Sequence, residues 1–562
     1  MGGAPVVKFL VKYFNKVFDS GIYPQEWTKA IIVPVFKKGD RQNPDNYRGI
    51  SLLSIVSKCY TTVLNKRLVR WMTVNNKVTE AQAGFRKSYS TVDHIFTLNA
   101  IVEKYLNKKG SKFYVCYVDL KKAYDTVDRA ALFDVLQRAG VSGRFKQALA
   151  AIYQSVSACV RTGDELTDFF DCPVGLRQGC ILSPSLFTLF INEVATYVES
   201  NGIHGVQLQQ DLVELFLLLF ADDISLMSST VRGLQNQLNC LLSACNNLGL
   251  TINVEKTKVM VYRKGGYLGK TEKWFLGGHR LEVVNEYVYL GFPFTTTLSL
   301  SQGVSYIAAK GKKAAVDCVR TLSKLDCMSK DTFFKLFDAQ VQSVLLYASE
   351  VWGLHRLKSI ENVHMFACKR FLNVHLKTPN KFIYGELGRY PLYVNSYLRC
   401  MRYWLKVLKM DISRLPRQAY KMLFTMDQNG KKCWASQVKK TLFEFGFGCV
   451  WEQQGVGNEK KFMYIFKQRC VDMFRQEWFS SVSGSKAFEQ YKLFKLSFET
   501  EKYFQFDMRK CFRDCIVKLR LGLLPIKGSA FKAVTCPDAS KMCCYCKDIV
   551  EDERHLLLYC PL

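Results

Sequence analysis

The first 300 residues alternate between short apolar runs that predict strands and longer segments whose apolar positions recur at helical spacing. Lys29–Phe36 and Arg48–Leu53 predict two strands that are joined by a polar turn. Phe113–Val118 and Leu215–Phe220 are apolar throughout, which is typical of strands buried inside a sheet. The chain is therefore predicted to contain a sheet in its amino-terminal half.

Helical spacing separates these strands. Helices are predicted over Ser57–Met72, Thr91–Leu106, Arg129–Gln154 with a break near Gly140 to Gly143, Ser183–Ser200 and Val231–Leu248. The helix at Ser183 should begin with that serine as N-cap and Pro184 in the first position. Strands are predicted again over Leu250–Tyr262 and Val283–Pro293. This pattern indicates an α+β fold of the split βαβ type, with an antiparallel sheet covered by helices on one face.

Beyond residue 300 the strand patterns fade. Helices are predicted over Ser305–Leu325, Ser329–Trp352 and Ile360–Leu372. Residues 395–530 are also mostly helical in pattern, and they are rich in Lys, Arg and aromatic residues. Such a mixture suits a groove that follows phosphates and stacks bases, although lysine-bearing helix faces are often merely solvated. From Cys536 the composition changes to a dense cluster of Cys and His.

Composition narrows the function. The 562 residues include 79 Lys and Arg against 49 Asp and Glu, a net charge of +30. This excess favours a polyanionic partner, most simply nucleic acid, over a basic protein that is merely soluble. The 21 cysteines follow no secretory signal, which indicates a reducing compartment. We find no targeting segment, and no apolar run is long enough to span a membrane.

Three aspartates stand at the ends of apolar runs. Asp119 follows Phe113–Val118, and Asp222 and Asp223 lie between two apolar runs that predict a hairpin. Oxygen ligands suit Mg²⁺, and two such ions are a common device for phosphoryl transfer. Successive strand residues face opposite sides, so Asp119 and Asp222 rank above Asp223 as ligands. The alternative is a pair of solvated turn aspartates.

Several sequence blocks occur in a fixed order. Tyr117–Asp125, Gly175–Pro184 and Ala221–Asp223 resemble the A, B and C motifs of reverse transcriptases. The flanking blocks Asn46–Leu53, Gly84–Arg86 and Tyr289–Gly291 are similar to those of non-LTR (LINE-type) retrotransposons, with relatives among group II intron enzymes. The resemblance is close over residues 20–300 and looser beyond them.

The resemblance implies a right-hand polymerase with a helical thumb and a Cys/His zinc segment at its end. The implied divisions are fingers 1–110, palm 111–300 with its antiparallel sheet, thumb 301–400, a helical basic region 401–530 and a zinc segment 531–562, the reverse transcriptase domain itself covering about 25–295. Two Mg²⁺ ions, with Mn²⁺ as a substitute, would be held by Asp119, Asp222 and Asp223. The carbonyl of Leu120 is a further candidate ligand.

The resemblance also implies residues that bind substrate. Tyr124 would stack under the sugar and select deoxynucleotides, although an aromatic beside a strand end is often plain core. Arg48 and Lys37 would bind the triphosphate, and Lys38 is nearly as good a candidate as Lys37. The alternative for these cations is a solvated basic turn.

The remaining implied residues lie in the palm. Gln178 and Gly179, with Gly175, would form a loop that lets the template–primer backbone approach closely, unless they form an ordinary turn. Lys256 matches a lysine proposed in related polymerases as an acid for pyrophosphate. Tyr289–Gly291 resembles a primer grip, and its alternative is the core of a hairpin.

The carboxyl-terminal cysteines have the spacing of a zinc site. Cys543 and Cys546 form the first ligand pair, and His555 and Cys560 form the second. Cys536 and Cys544 compete with them as ligands. The segment also resembles the Cys-Cys-His-Cys segment of LINE proteins, and a structural Zn²⁺ is expected.

The function that the resemblance implies is RNA-directed DNA polymerisation. The chain would extend a DNA 3′ end on an RNA template with dNTPs, as in target-primed reverse transcription. Alternatives are a non-catalytic RNA-binding remnant, which loss of an acid would have favoured, and an intron maturase. An endonuclease is expected upstream or downstream in a full-length element, or absent, so the chain is interpreted as a possible fragment. Action in the nucleus is expected, with the cytoplasm as a second location, and no membrane partner is expected.

Overall fold

The computed structural model describes residues 3–202, 205–208, 214–322, 329–484, 489–506, 508–524, 526, 542–543, 545–547, 549–551 and 555–560. The chain forms two compact units. The first consists of Met1–Leu290, Thr295–Leu298 and Asp411–Met426, and the second contains Gly291–Phe294, Ser299–Met410 and Asp427–Leu562. The first unit therefore takes in a short segment from the region predicted as the basic carboxyl-terminal part.

The elements of the amino-terminal half closely follow the predicted order. They are α1 Gly3–Ser20, α2 Gln25–Thr28, β1 Lys29–Phe36, β2 Tyr47–Leu52, α3 Ile55–Val74, α4 Thr91–Leu106, β3 Phe113–Val118, α5 Arg129–Ala139, α6 Gly143–Tyr153, β4 Ser157–Thr162, β5 Glu165–Leu166, β6 Phe170–Asp171, α7 Ser183–Asn201, β7 Leu217–Phe220, β8 Asp223–Ser228, α8 Val231–Asn247, β9 Lys258–Tyr262, β10 Phe275–Leu276, β11 His279–Arg280, β12 Glu282–Val284, β13 Glu286–Tyr289 and β14 Phe292–Thr295.

Two sheets of the first unit position the candidate site. In one, β1 pairs antiparallel with β2 and parallel with β4. In the other, the order is β12-β9-β3-β8-β7, and β3 is antiparallel to both β8 and β9. Because β12 runs parallel to β9, this second sheet is mixed at its edge rather than wholly antiparallel as predicted.

Strand β3 is buried on both faces, so the prediction of helices on one face only was wrong. Tyr114 and Cys116 pack into a core that includes Leu238 of α8. On the opposite face, the ring of Phe113 stacks on that of Tyr105 of α4 with centroids 4.6 Å apart. An all-apolar strand such as β3 needs cover on both sides.

The predicted strand over Leu250–Tyr262 is shorter than expected. Only Lys258–Tyr262 is a strand, because Asn253 organises a turn before it: its side-chain oxygen accepts from the Lys256 backbone N–H at 3.4 Å, and its carbonyl accepts from Thr257 at 2.9 Å. Asn253 also donates its backbone N–H to the carbonyl of Asp119 at 2.8 Å. The turn is thereby attached to the end of β3.

Two smaller predictions also differ from the structure. Leu182, not Ser183, is the N-cap of α7, since Ser183 is buried and donates its hydroxyl to the carbonyl of Arg177 at 3.0 Å. The predicted strand Val283–Pro293 is divided among β12, β13 and β14.

Beyond residue 300, the described part of the chain consists mainly of helices joined by loops. Its helices are α9 Leu300–Leu322, α10 Lys330–Phe337, α11 Ser343–Leu345, α12 Ser349–Trp352, α13 Lys358–Phe371, α14 Asn380–Leu387, α15 Leu392–Lys409, α16 Leu415–Gln428, α17 Trp434–Glu444, α18 Gly448–Glu452, α19 Glu459–Ser483, α20 Glu489–Phe494 and α21 Lys510–Arg520. A π-helical turn, Asp338–Gln342, interrupts the continuous helix predicted over Ser329–Trp352. Among the described helices, none combines the length and apolarity needed to cross a bilayer.

Candidate active site

The three aspartates meet at one end of the central sheet. Phe220 of β7 pairs with Asp223 of β8, so Ala221 and Asp222 form the two-residue turn of the predicted hairpin. Ala221 has a φ of 59°, in the left-handed region that such tight turns require. Val118 pairs with Ile224 of β8, which places Asp119 at the same end of the sheet.

Burial and neighbouring carboxylates raise the pKa values of Asp222 and Asp223. Burial raises the pKa of Asp222, and the charge of Asp119 adds to this rise. Burial, followed by the charges of Asp222 and Asp119, raises the pKa of Asp223 to about 6. Three carboxylates that repel one another and offer only oxygen donors are suited to hard divalent cations.

Lys256 forms an ion pair with one of these acids. Its Nζ lies 3.6 Å from Oδ2 of Asp119, and its side chain is 70% exposed. The turn around Asn253 presents Lys256 to the acid, as described above. An exposed lysine is a weak and mobile partner for a carboxylate, so it leaves the repulsion among the three acids largely uncompensated.

Tyr124 lies between the acids and helix α7. Its ring stacks on that of Phe187, with centroids 4.3 Å apart and an interplanar angle of 22°. Burial and the charge of Asp222 raise the pKa of its hydroxyl, which is buried without a hydrogen-bond partner among the described residues. The structure thus places Tyr124 beside the acids, where the sequence predicted a sugar contact.

The basic turn after β1 faces the same acids. Lys37 and Arg48 flank it, since Val35 pairs with Arg48 across the β1–β2 hairpin. Burial raises the pKa of Asp125, and Lys37 and Arg48 are among the cations that lower it. The same two cations lower the pKa of Asp222. Lys37 and Arg48, the two predicted triphosphate ligands, are therefore close enough to Asp125 and Asp222 to affect their pKa values.

The loop at Gln178 and Gly179 joins the two sheets. Gln178 donates its side-chain amide to Asp125 at 3.1 Å, and its carbonyl accepts from the backbone N–H of Ser51 at 2.7 Å. Gly179 has a φ of +123°, and a Cβ there would lie 2.4 Å from the carbonyl oxygen of Ser51. Close approach by the protein's own backbone is thus enough to require this glycine, whereas the sequence prediction assigned it to the nucleic acid.

The segment predicted as a primer grip contributes core residues. Tyr289 is buried and accepts a hydrogen bond from the hydroxyl of Ser225 at 3.4 Å. Tyr287 stacks on Tyr117 of β3 with ring centroids 4.1 Å apart. Burial, together with the charges of Asp223 and Asp119, raises the pKa of Tyr287 to about 12. These tyrosines form a layer beneath the acids.

Sequence reasoning missed Gln82. This side chain is fully buried, and its Oε1 accepts from the backbone N–H groups of Gly84 at 2.7 Å and Ala221 at 3.2 Å. A Cβ on Gly84 would lie 2.3 Å from the nitrogen of Ala221, so the segment packs directly against the turn. The only sequence signal was the block Gly84–Arg86, two residues further along.

Arg414 was missed as well. It comes from the segment Asp411–Met426 of the first unit and donates to Oε1 of Glu80 at 2.8 Å and to Oδ2 of Asp93 at 3.4 Å. Its guanidinium lies over the ring of Tyr89, 3.6 Å from the centroid. Contacts between residues more than 300 positions apart leave no periodic signal in a single sequence.

The four predicted zinc ligands lie together. One ligand atom each of Cys543, Cys546 and His555 falls within 4.8 Å of the others. Cys560 Sγ lies 3.9 Å from that of Cys543. Hydrogen bonds from the backbone N–H groups of Cys546 and Tyr545 lower the pKa of the Cys543 thiol to about 6, which favours the thiolate. The competing candidates Cys536 and Cys544 lie outside the described residues.

The part of the chain that contains the three aspartates is similar to known proteins. Residues 35–294 match the family described as reverse transcriptase (RNA-dependent DNA polymerase). A probable RNA-directed DNA polymerase from transposon BS of Drosophila melanogaster is 23% identical over 64% of this chain and 40% of its own length. The RNA-directed DNA polymerase from the mobile element jockey of the same species is 22% identical over 65% of this chain and 39% of its own length.

A third relative is the Pol polyprotein of the type-1 retrotransposable element R2 of Popillia japonica, 23% identical over 65% of this chain and 51% of its own length. The chain thus spans about two fifths to half of the length of these three relatives. Among solved structures, apo telomerase from Candida tropicalis aligns over 82% of this chain and 72% of its own, with 13% identity and a TM-score of 0.39. Because the family match covers the three aspartates, residues 35–294 carry a reverse transcriptase domain, and the chain is similar over about two thirds of its length to several polymerases of retrotransposons.

Proposed function

We propose that this chain is an RNA-directed DNA polymerase that extends a DNA 3′ end on an RNA template. The observation that carries the proposal is the meeting of Asp119, Asp222 and Asp223 at one end of the sheet, opposite the cations Lys37 and Arg48. A negative centre faced by a basic turn suits a nucleoside triphosphate with its divalent cations. All three acids are present, which disfavours a non-catalytic remnant.

Asp119 and Asp222 would hold two Mg²⁺ ions, and Asp223 would complete the site; Mn²⁺ is an accepted substitute. Such ions, when bound, activate a 3′-hydroxyl and neutralise a leaving pyrophosphate. The carbonyl of Leu120 is available as a further oxygen donor, since the bridge between Leu120 and Ile252 uses the backbone groups of Asp119 and Lys121 instead.

The surrounding side chains would bind and orient the nucleotide. Arg48 offers a fork of donors and Lys37 a point charge to the triphosphate oxygens. Lys256 lies beside Asp119 and would be free to donate a proton to the leaving pyrophosphate once a stronger cation neutralises that acid. Tyr124 would limit the space at the 2′ position of the sugar.

Primer extension tests this assignment. The purified chain is given an RNA template, a DNA primer and labelled dTTP. Asp119→Asn and Asp222→Asn should each lower the extension rate by at least about 10³-fold, since each removes an anionic ligand of the metal ions that would stabilise the negative charge of the transition state. RNA binding should stay near normal, because phosphate contacts dominate it.

Asp134→Asn is the matched control, because this aspartate lies on α5 outside the acid cluster. Wild-type extension by either catalytic variant would overturn the proposed function. Loss of extension by the control as well would point to damaged folding.

We further propose that Cys543, Cys546, His555 and Cys560 bind one structural Zn²⁺. All four tetrahedral positions would be occupied by protein, which leaves none for water. An endonuclease would be supplied by another part of a full-length element, and copying at a chromosomal target would place the protein in the nucleus. Imaging of a tagged chain tests that location.

A further inference from the structure

A cavity of about 370 Å³ lies in the second unit, walled by α9, α13 and the start of α14. Its polar lining consists of Lys312, Ser359, Asn362, Lys369 and Asn380. The rest of the wall is apolar. The lining offers two ammonium groups, two amides and one hydroxyl, and it contains no carboxylate.

Lys369 is the unusual member of this lining. It is only 7% exposed, and its Nζ donates to the backbone carbonyl of Leu376 at 2.9 Å. Among the described residues, no carboxylate forms an ion pair with it, and burial lowers the pKa of its ammonium group. The ammonium group of Lys369 is thus buried, and among the described residues its hydrogen-bond partner is the neutral carbonyl of Leu376.

Another buried lysine of the second unit is paired with a carboxylate. Lys495 is 5% exposed, and it is paired with the carboxylate of Glu501. Burying an ammonium without an opposite charge is costly, and proteins usually compensate it. An anion that compensates the charge of Lys369 would bind in the cavity that this lysine lines.

We propose that this cavity binds a backbone phosphate of a nucleic-acid strand. Lys369 and Lys312 would donate to the phosphate oxygens, and Asn362 and Asn380 supply amide donors that suit the same oxygens. The volume is at the lower end of the range of about 300 to 1,000 Å³ typical of small-molecule sites, so it accommodates more than a bare phosphate. The apolar side of the wall, which includes Phe366, would contact the attached sugar.

A strand is favoured over a free anion because the chain as a whole carries a net charge of +30, which attracts polyanions. This inference rests on the proposed function in one respect, namely that the chain binds RNA or DNA strands. The rival interpretation is structural: Lys369 would merely attach the segment after α13 through the Leu376 carbonyl.

Strand binding is measured by fluorescence anisotropy of the full chain with a labelled 20-nucleotide single-stranded RNA and with the matching DNA. Lys369→Met keeps the apolar stem and removes the charge. It should weaken binding about tenfold and reduce the slope of log Kd against log salt by about 1, as expected for one lost phosphate contact. Lys312→Gln, at an exposed position, should weaken binding about threefold. Lys377→Gln, an exposed lysine just outside the lining, should leave the affinity within about twofold.

Thermal unfolding separates the two interpretations. If Lys369 serves a ligand, Lys369→Met should leave the melting temperature unchanged or raise it, because a buried uncompensated charge is lost. If Lys369 is only structural, the melting temperature falls and the affinity is unchanged, which overturns the proposal. Unchanged affinity in both Lys369→Met and Lys312→Gln overturns it as well.

A third measurement identifies the source of the phosphate. Inorganic phosphate at millimolar concentration is added to the wild-type chain and to Lys369→Met. If it raises the melting temperature of the wild type alone while both chains bind the strands equally, the site is one for a free anion and the strand proposal is wrong. All binding is measured without dNTPs, so a chain that binds normally but fails to polymerise would contradict the proposed function and leave this inference standing.

Discussion

At the scale of single residues, a side-chain oxygen holds the backbone of the turn formed by Ala221 and Asp222. Gln82 Oε1 accepts hydrogen bonds from the backbone N–H groups of Ala221 and Gly84. The side chain of Gln82 is fully buried. Losing that acceptor would leave two buried N–H groups without a partner, at a cost of about 1–3 kcal/mol each. We therefore expect Gln82 to position Asp222 without touching substrate.

Gln82→Met preserves volume and removes the acceptor. The magnesium concentration for half-maximal extension should rise about tenfold, since a turn displaced by a fraction of an ångström holds its carboxylates less well. Gln237→Met is the control, because Gln237 is equally buried but donates to the carbonyl of Met227 on β8. An identical magnesium dependence in the two variants would show that Gln82 is only a core residue.

Tyr124 offers a test of sugar selection at the same scale. Tyr124→Val or Tyr124→Ala should raise ribonucleotide incorporation relative to deoxyribonucleotide by about 10-fold or more, since removing a steric contact relaxes discrimination. Single-nucleotide assays with matched dNTP and rNTP measure the ratio. Phe133→Ala on α5 controls for a general loss of packing. If the ratio stays at its wild-type value in the Tyr124 variants, the ring belongs to the core, in keeping with its stacking on Phe187.

At the scale of elements, helix α4 buries polar groups in its first turn. Ser90 and Asp93 form a capping box there, and His94 lies next to them, fully enclosed. Burial and the charge of Arg414 lower the pKa of His94 to about 3. Arg414 is thus the cation at the first turn of α4, and its charge disfavours protonation of His94 beside it.

This arrangement predicts a pH dependence of stability. The unfolded chain protonates His94 near pH 6.5, whereas the folded chain does so only near pH 3. The unfolded state therefore binds more protons between these values, and the free energy of unfolding should fall by up to about 1.4 kcal/mol for each pH unit below 6.5. His94→Gln should flatten this dependence in urea titrations at pH 7.5, 6 and 5.

His279→Gln, at an exposed position on β11, should leave the slope as in the wild type. If the free energy of unfolding of His94→Gln falls with pH as steeply as that of the wild type, groups other than His94 cause the dependence.

Element prediction succeeded where the signal was local. The run Phe113–Val118 and the helix Thr91–Leu106 match the structure because apolar spacing alone determines them. The strand predicted over Leu250–Tyr262 is too long because the side chain of Asn253 forms a hydrogen bond that stabilises a turn where the apolar pattern predicted extended backbone. Gln82 and Arg414 could not be found, since their roles depend on partners that only the folded chain brings near.

At the scale of the whole molecule, the carboxyl-terminal Cys/His segment should be separable from catalysis. Removing zinc with a chelator should loosen only this segment, because the first unit has its own core. Limited proteolysis should detect new cleavage after residue 540, and extension of a simple primer–template should survive once Mg²⁺ is restored.

Cys546→Ser should reproduce the chelator's effect, and Cys449→Ser, at an exposed isolated cysteine, should not. Elemental analysis completes the test. Markedly less than one zinc per folded chain would leave the four residues as an unligated cluster.

The inclusion of Asp411–Met426 in the first unit has a consequence for synthesis on the ribosome. Glu80 and Asp93 are translated early, but Arg414, which both of them contact, follows only after the segment Ser299–Met410 of the second unit has been made. At about 5–20 residues per second, the nascent first unit waits on the order of ten seconds for this segment. During that interval the contacts of Arg414 with Glu80, Asp93 and the ring of Tyr89 have not yet formed, so a chaperone that shields this surface would act before translation ends rather than after it.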